Sequence, residues 1–209
     1  MIFKIFVLCV LLFGNKAGVA SEVFLSEFFT EVSTLKAGFE QRVEDETGAV
    51  LETTSGSFYL SRPGKFRWDY DSLDDSIENG QQIVADGEHL FFYDPDLEQV
   101  SKRSLKDSLG QVPSLLLVQS GANIEEHFNV VDYGVTDGLS WISLKPKDAD
   151  AGYKQLMIGF DQGVIKSLLL YDGLGNTTRL DLLNVQSNVK IDASVFAFDV
   201  PEGADLLSE

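Results

Sequence analysis

Cysteine is almost missing from this chain. The one copy, Cys9, falls in a stretch that reads as a removable leader. What remains has no thiol, which excludes a disulfide framework, a thiolate metal site and a thiol nucleophile. Histidine is nearly as scarce. His89 and His127 are the only two, and neither stands at a metal-ligand spacing. There is no G-x-S-x-G elbow and no phosphate loop. Carboxylates are plentiful, so composition leaves a glycosidase-type acid/base pair open. With 33 Asp+Glu, however, close pairs arise by chance. Asp94-Pro95-Asp96 and Asp148-Ala149-Asp150 lack the glycine and terminal glutamate of a calcium loop. No catalytic residue, metal ligand or cofactor is expected.

Basic residues are also few. Lys+Arg number 16 against those 33 acids, a net charge of −17. Such a charge repels nucleic acid and anionic lipid headgroups, and it favours solubility and basic partners. Long apolar runs are absent after the first residues. Met1 to Lys4 make a short positive start, and Ile5 to Phe13 form an apolar run too short to span a bilayer. Gly18-Val19-Ala20 then offers the small residues a signal peptidase reads. Residues 1–20 are therefore expected to be a cleaved signal peptide and 21–209 a single exported domain. Cys9 has too few apolar residues before it to be a lipidation site.

What is present is strand-forming and aromatic. A first helix is predicted over Ser21 to Leu35, with Leu25, Phe28, Phe29, Val32 and Leu35 at helical spacing and Ser21 as N-cap. Roughly eleven short strands follow, Phe39 to Asp45 through Thr177 to Val185, with a last one at Phe196 to Val200. The turns are marked by Gly48, Pro63-Gly64, Asp86-Gly87, Asp137-Gly138 and Gln162-Gly163. Val112 to Val118 reads as a short apolar helix that interrupts the series, with Pro113 in its first turn. The acidic loop Asp71 to Gly80 is expected to be the most mobile segment. Serial strands and tight turns favour an antiparallel meander or barrel.

Alternation puts Phe66, Trp68 and Tyr70 on one face of their strand, and Phe58, Leu60 and Arg62 on one face of the strand before it. Around Leu90 to Tyr93 and Leu168 to Tyr171 both faces are apolar. Two short helices do not fill a wide curved sheet. The pattern therefore fits a ligand cavity and a packed barrel core equally. Arg62, at the rim, fits either a guanidinium that pins a helix end through its carbonyls or a solvent-facing turn residue.

The ordered set Arg62-Pro63-Gly64-Lys65-Phe66-Arg67-Trp68, then Asp86-Gly87 and Tyr93-Asp94-Pro95, resembles the outer-membrane lipoprotein carrier proteins (LolA). Phe39-Glu40-Gln41 and Phe196-Ala197-Phe198 with Pro201-Glu202-Gly203 extend the resemblance over nearly the whole exported chain. It implies a mainly β fold with a few helices, an unclosed antiparallel β-barrel covered by an α-helical lid. It implies a periplasmic chaperone of a Gram-negative bacterium, not an enzyme. The carrier would take triacylated lipoproteins from the inner-membrane ABC exporter LolCDE, shield their acyl chains and pass them to the outer-membrane receptor LolB. By position, Arg62 is similar to the family's lid-locking arginine and Phe66 to its aromatic at the cavity mouth. Phe58, Leu60 and Trp68 are expected to line the cavity. Phe28, Phe29, Val32, Leu115, Leu116 and Leu117 are expected in the lid. A monomer is expected. The chain departs from the family in its long acidic Asp71 to Gly80 loop and its strong negative charge, which implies basic surfaces on its partners. A second reading on the same scaffold is a lipid- or lipoprotein-sensing regulatory domain.

Overall fold

The computed structural model describes residues 20–72, 80–108, 113–118 and 124–208. The expected leader, apart from Ala20, and residues 73–79 of the acidic loop lie outside them. Twelve strands form one sheet: β1 Thr34–Glu44, β2 Val50–Ser61, β3 Lys65–Tyr70, β4 Gln82–Asp86, β5 His89–Asp94, β6 Gln99–Ser104, β7 Phe128–Thr136, β8 Leu139–Pro146, β9 Tyr153–Asp161, β10 Val164–Asp172, β11 Thr177–Ser187 and β12 Asp205–Ser208. Their order is β12-β6-β5-β4-β3-β2-β1-β11-β10-β9-β8-β7. Strand β1 is the hinge line. The chain runs outward from it to β6 by hairpins, crosses to the opposite edge at β7, and returns by hairpins to β11 beside β1. The crossing carries short helices at Leu105–Ser108 and Ile124–His127 and a 3-10 helix at Pro113–Val118. No pairing joins β6 to β7 among the described residues, so the barrel stays open.

The turns follow local chemistry. Asp137-Gly138 and Gln162-Gly163 both take positive φ, at 53° and 80° and at 48° and 86°, as tight hairpins between right-twisted strands require. Asp86 instead receives the backbone N–H groups of Glu88 (2.8 Å) and His89 (2.7 Å), closing its turn as an Asx cap.

Three expectations are corrected. The first helix, α1, is Ala20–Glu31, not Ser21 to Leu35. Leu35 belongs to β1, where Leu35, Ala37 and Phe39 are buried at strand spacing. Leu35 satisfies both periods from its neighbours, so spacing alone could not place it. Ser21 lies inside α1, buried and with its hydroxyl unpartnered, so it is not the N-cap. Phe196 to Val200 is not a strand. A 3-10 helix, Ala193–Phe196, capped by Asp192, leads into unpaired extended chain. This segment crosses the outside of the sheet and ends in β12, which pairs with β6 in parallel. The sheet is thus antiparallel except at that edge.

Two cores result. The larger fills the concave side and joins Leu25, Phe28 and Phe29 of α1 to Phe39, Phe58, Leu60 and Phe160. The smaller lies outside, where Phe198 stacks on Phe91 (5.0 Å between centroids) beside Val84 and Val100. This explains why both faces of β5 are apolar: Leu90 faces in, and Phe91 faces out under the C-terminal segment.

Candidate functional site

The site is an apolar cavity in the concave face, with Leu117 of the Pro113–Val118 helix in its wall; that helix and α1, which packs on β8 and β10, form the roof of the concave face. Trp68, Ile83, Leu117, Leu156, Leu168 and Leu180 are among its walls, and its volume is about 160 Å³. The wall is aromatic on the β1–β3 side. Phe58 stands opposite Trp68 in the β2–β3 register and stacks on it with centroids 4.0 Å apart. Phe39 meets Trp68 (5.0 Å) and Tyr70 (5.2 Å) edge-on. Gly56 makes this possible. A Cβ there would meet the Asp69 carbonyl oxygen and stand 2.8 Å from the Phe39 ring. Nothing in the sequence marked Gly56, because its constraint comes from a ring on a neighbouring strand.

Arg62 ties the roof down. It leaves the end of β2 on the face that Phe58 and Leu60 occupy. Its guanidinium donates to the carbonyl of Phe28 (2.9 Å) and to that of Val32, both in or just after α1. Its other terminal nitrogen donates to the Leu117 carbonyl of the 3-10 helix (2.7 Å). One planar fork thus holds both roof segments by carbonyls at their C-terminal ends. The guanidinium also lies 4.5 Å from the Phe28 ring centroid and 5.2 Å from that of Phe29. Burial pulls its pKa down from 12.5 to about 10, which leaves it charged at neutral pH. Two backbone bonds reinforce the same junction, Arg62 N–H to Ser33 O (2.8 Å) and Gly64 N–H to Val118 O (3.2 Å).

Of the residues expected at the cavity, Trp68 lines it. Phe58, Leu60 and Phe66 are packed behind it in the core. Phe66, expected at the mouth, is fully buried opposite Leu60. Of those expected in the lid, Phe28, Phe29, Leu116 and Leu117 are buried and Val32 is half-buried. The Leu115 side chain lies outside those described. Gln41, Tyr70 and Thr178 line the same cavity, although the sequence named none of them as a site residue. Tyr70 is pushed up to about 12 by burial and by the nearby Glu52 carboxylate. No group of three or more His, Cys, Asp or Glu residues that could hold a metal occurs among the described residues. No described helix is long and apolar enough to cross a membrane.

Comparison with known proteins agrees with this architecture. Residues 30–199 match the model of the family "Outer membrane lipoprotein carrier protein LolA". An outer-membrane lipoprotein carrier protein of Methylococcus capsulatus is 36% identical over 94% of this chain and 92% of its own. One from Alkalilimnicola ehrlichii is 38% identical over 90% and 84%. Among solved structures, a conserved protein of Thermus thermophilus shares the fold at 10% identity, with TM-score 0.56 over 90% of this chain and 99% of that one. A DUF1329 family protein of Desulfovibrio piger does so at 13% identity, with TM-score 0.52 over 86% and 96%. The family is one of carriers and not of enzymes. With its open sheet, its roofed apolar cavity and these matches along most of its length, the chain belongs to the outer-membrane lipoprotein carrier (LolA) family.

Proposed function

We propose that the protein carries triacylated lipoproteins across the periplasm of a Gram-negative bacterium, after cleavage of residues 1–20, as the single domain 21–209 and as a monomer. It receives them from the inner-membrane exporter LolCDE and hands them to the outer-membrane receptor LolB. The observation that carries this reading is the Arg62 fork, which ties together two separate roof segments, one of which walls an apolar cavity through Leu117. A packed core needs no such latch.

The energetics support a roof that moves. A cavity of about 160 Å³ is of the size that holds one benzene-like molecule. Acyl chains are far larger, so they enter only if the roof lifts. Leu117 couples the two events, because its side chain walls the cavity while its carbonyl accepts from Arg62. A chain that displaces Leu117 disturbs the latch. Each CH₂ kept from water is worth about 0.8 kcal/mol, so three acyl chains far outweigh three hydrogen bonds. In the empty carrier the latch favours the closed form. It therefore opposes retention and helps release to a better-binding receptor. The chemical energy for loading comes from the exporter.

The test is release. Purified protein is added to spheroplasts that make a labelled outer-membrane lipoprotein. The expected result is that lipoprotein in a soluble one-to-one complex with the carrier. A folded protein that releases none, given an active matched exporter, contradicts the reading.

A further inference from the structure

Trp68 is 3% exposed and lines the apolar cavity. Stacking on Phe58 and the edge of Phe39 fix its ring. Its indole Nε1–H is nevertheless buried without a hydrogen-bond partner. A buried tryptophan N–H ordinarily finds an acceptor. The other tryptophan does: Trp141 donates to the Thr136 carbonyl at 3.2 Å. The indole can only donate, so methylenes do not satisfy it and an acceptor oxygen does. In an apolar cavity a neutral carbonyl costs little to bury, whereas a carboxylate costs a great deal.

The position of the donor narrows the ligand further. Tyr70, two residues along β3, and Gln41 on β1 line the apolar cavity and also a neighbouring polar recess of about 440 Å³. That recess contains Glu52, Thr54, Asp71 and Asp96. Trp68 thus stands on the apolar side of the boundary between that cavity and the polar recess, with its N–H closed off in the empty protein. In an acylglycerol, the ester carbonyl occupies that same place between tail and head.

We propose that the Trp68 indole N–H is an ester-carbonyl subsite. It binds one glyceryl ester of the cargo, with the acyl chain under Leu117 and the head directed past Tyr70 and Gln41 to the polar recess. The assignment rests on the lipid-carrying reading above. It makes the cavity selective for acyl esters over chains of equal length that lack the carbonyl.

The test uses the purified protein with ¹⁵N-labelled tryptophan, titrated with dioctanoylglycerol and with its ether analogue dioctylglycerol. Both are expected to bind, the ester about five- to tenfold more tightly, as one added neutral hydrogen bond implies. The Trp68 indole proton moves downfield with the ester alone, and the Trp141 signal stays in place. In Trp68→Phe the two lipids bind equally. Equal affinities for the unaltered protein, with the Trp68 signal the same in both complexes, overturn the ester subsite and leave the carrier reading intact. Failure of either lipid to bind the folded protein overturns the subsite together with the acyl-chain cavity on which it rests.

Discussion

The two faces of this sheet are built on different rules. On the outer face, polar groups answer one another at short range. Arg42 pairs with Glu44 (2.6 Å) and Arg179 with Asp181 (2.8 Å), each two residues along its own strand. This relieves the two arginines, which stand opposite each other in the β1–β11 register. Ser167 donates to Asp181 at 2.6 Å. Trp141 lies over Gly159, where a Cβ would come within 3.0 Å of its ring, and finds its acceptor in Thr136. The inner face has Phe39, Phe58, Trp68, Leu168 and Leu180, a space left over, and a donor with nothing to bond. A face that satisfies itself is structural. A face left with a cavity and an orphan N–H is the one to which the proposed function assigns a ligand.

The largest effect expected from disturbing this contrast is at Gly56. Gly56→Val forces a side chain into the Asp69 carbonyl and the Phe39 ring. It should cost about 3 kcal/mol or more, at the upper end of overpacking effects, or prevent folding. Gly152→Ala, with open space around its Cβ, should stay within about 0.5 kcal/mol of the unaltered protein. Urea unfolding of both variants checks this.

Next in size is the latch. Arg62→Leu removes three donor contacts from the roof carbonyls. It should leave loading in place while delivery to the receptor falls at least about tenfold, the scale of a 1.4 kcal/mol loss in bias toward the closed form. Transfer of labelled lipoprotein from the preformed complex measures it, and normal delivery would remove Arg62 from the mechanism.

The tryptophans give a smaller and sharper comparison. Trp141→Phe loses ring volume and a satisfied hydrogen bond. Trp68→Phe loses ring volume and an unsatisfied donor. In the empty protein the first should therefore be the more destabilising, by about 1 kcal/mol, as read from denaturation midpoints. The reverse order would mean that Trp68 is an ordinary core residue.

The smallest effect is in alkaline titration. Burial pushes Tyr70 and Tyr153, both in the inner core, up to about 12. Their unfolded value is the ordinary 10, so a folded value above it means stability is fully present below pH 10. It is lost as pH climbs toward about 12. Absorbance of phenolate should show two tyrosines ionising last, and Tyr70→Phe should remove one of them.

Much of this architecture was legible in the chain. Asp86-Gly87, Asp137-Gly138 and Gln162-Gly163 mark hairpins because positive φ and Asx capping are local demands. Leu25, Phe28 and Phe29 mark the buried side of α1. Other features depend on residues distant in sequence. The alternation Phe196-Ala197-Phe198 arises from packing on the outer core, where Phe198 covers Phe91, and not from strand pairing. Strand β12 pairs with β6, about a hundred residues earlier in the chain. The place of Arg62 on the apolar face of β2 could be read from alternation, but its three acceptors could not. The orphan state of Trp68 is a property of what surrounds it, and so is the constraint on Gly56.

The most direct measurement is of the roof itself. Spin labels at cysteines replacing Ser26 on α1 and Lys154 on β9, both exposed, in the domain 21–209, which has no cysteine of its own, report the distance between roof and sheet. A narrow distribution is expected for the empty protein, and a longer, broader one when an acylated lipoprotein is bound. An identical distribution in the empty and loaded states would contradict a cavity that fills by lifting its roof.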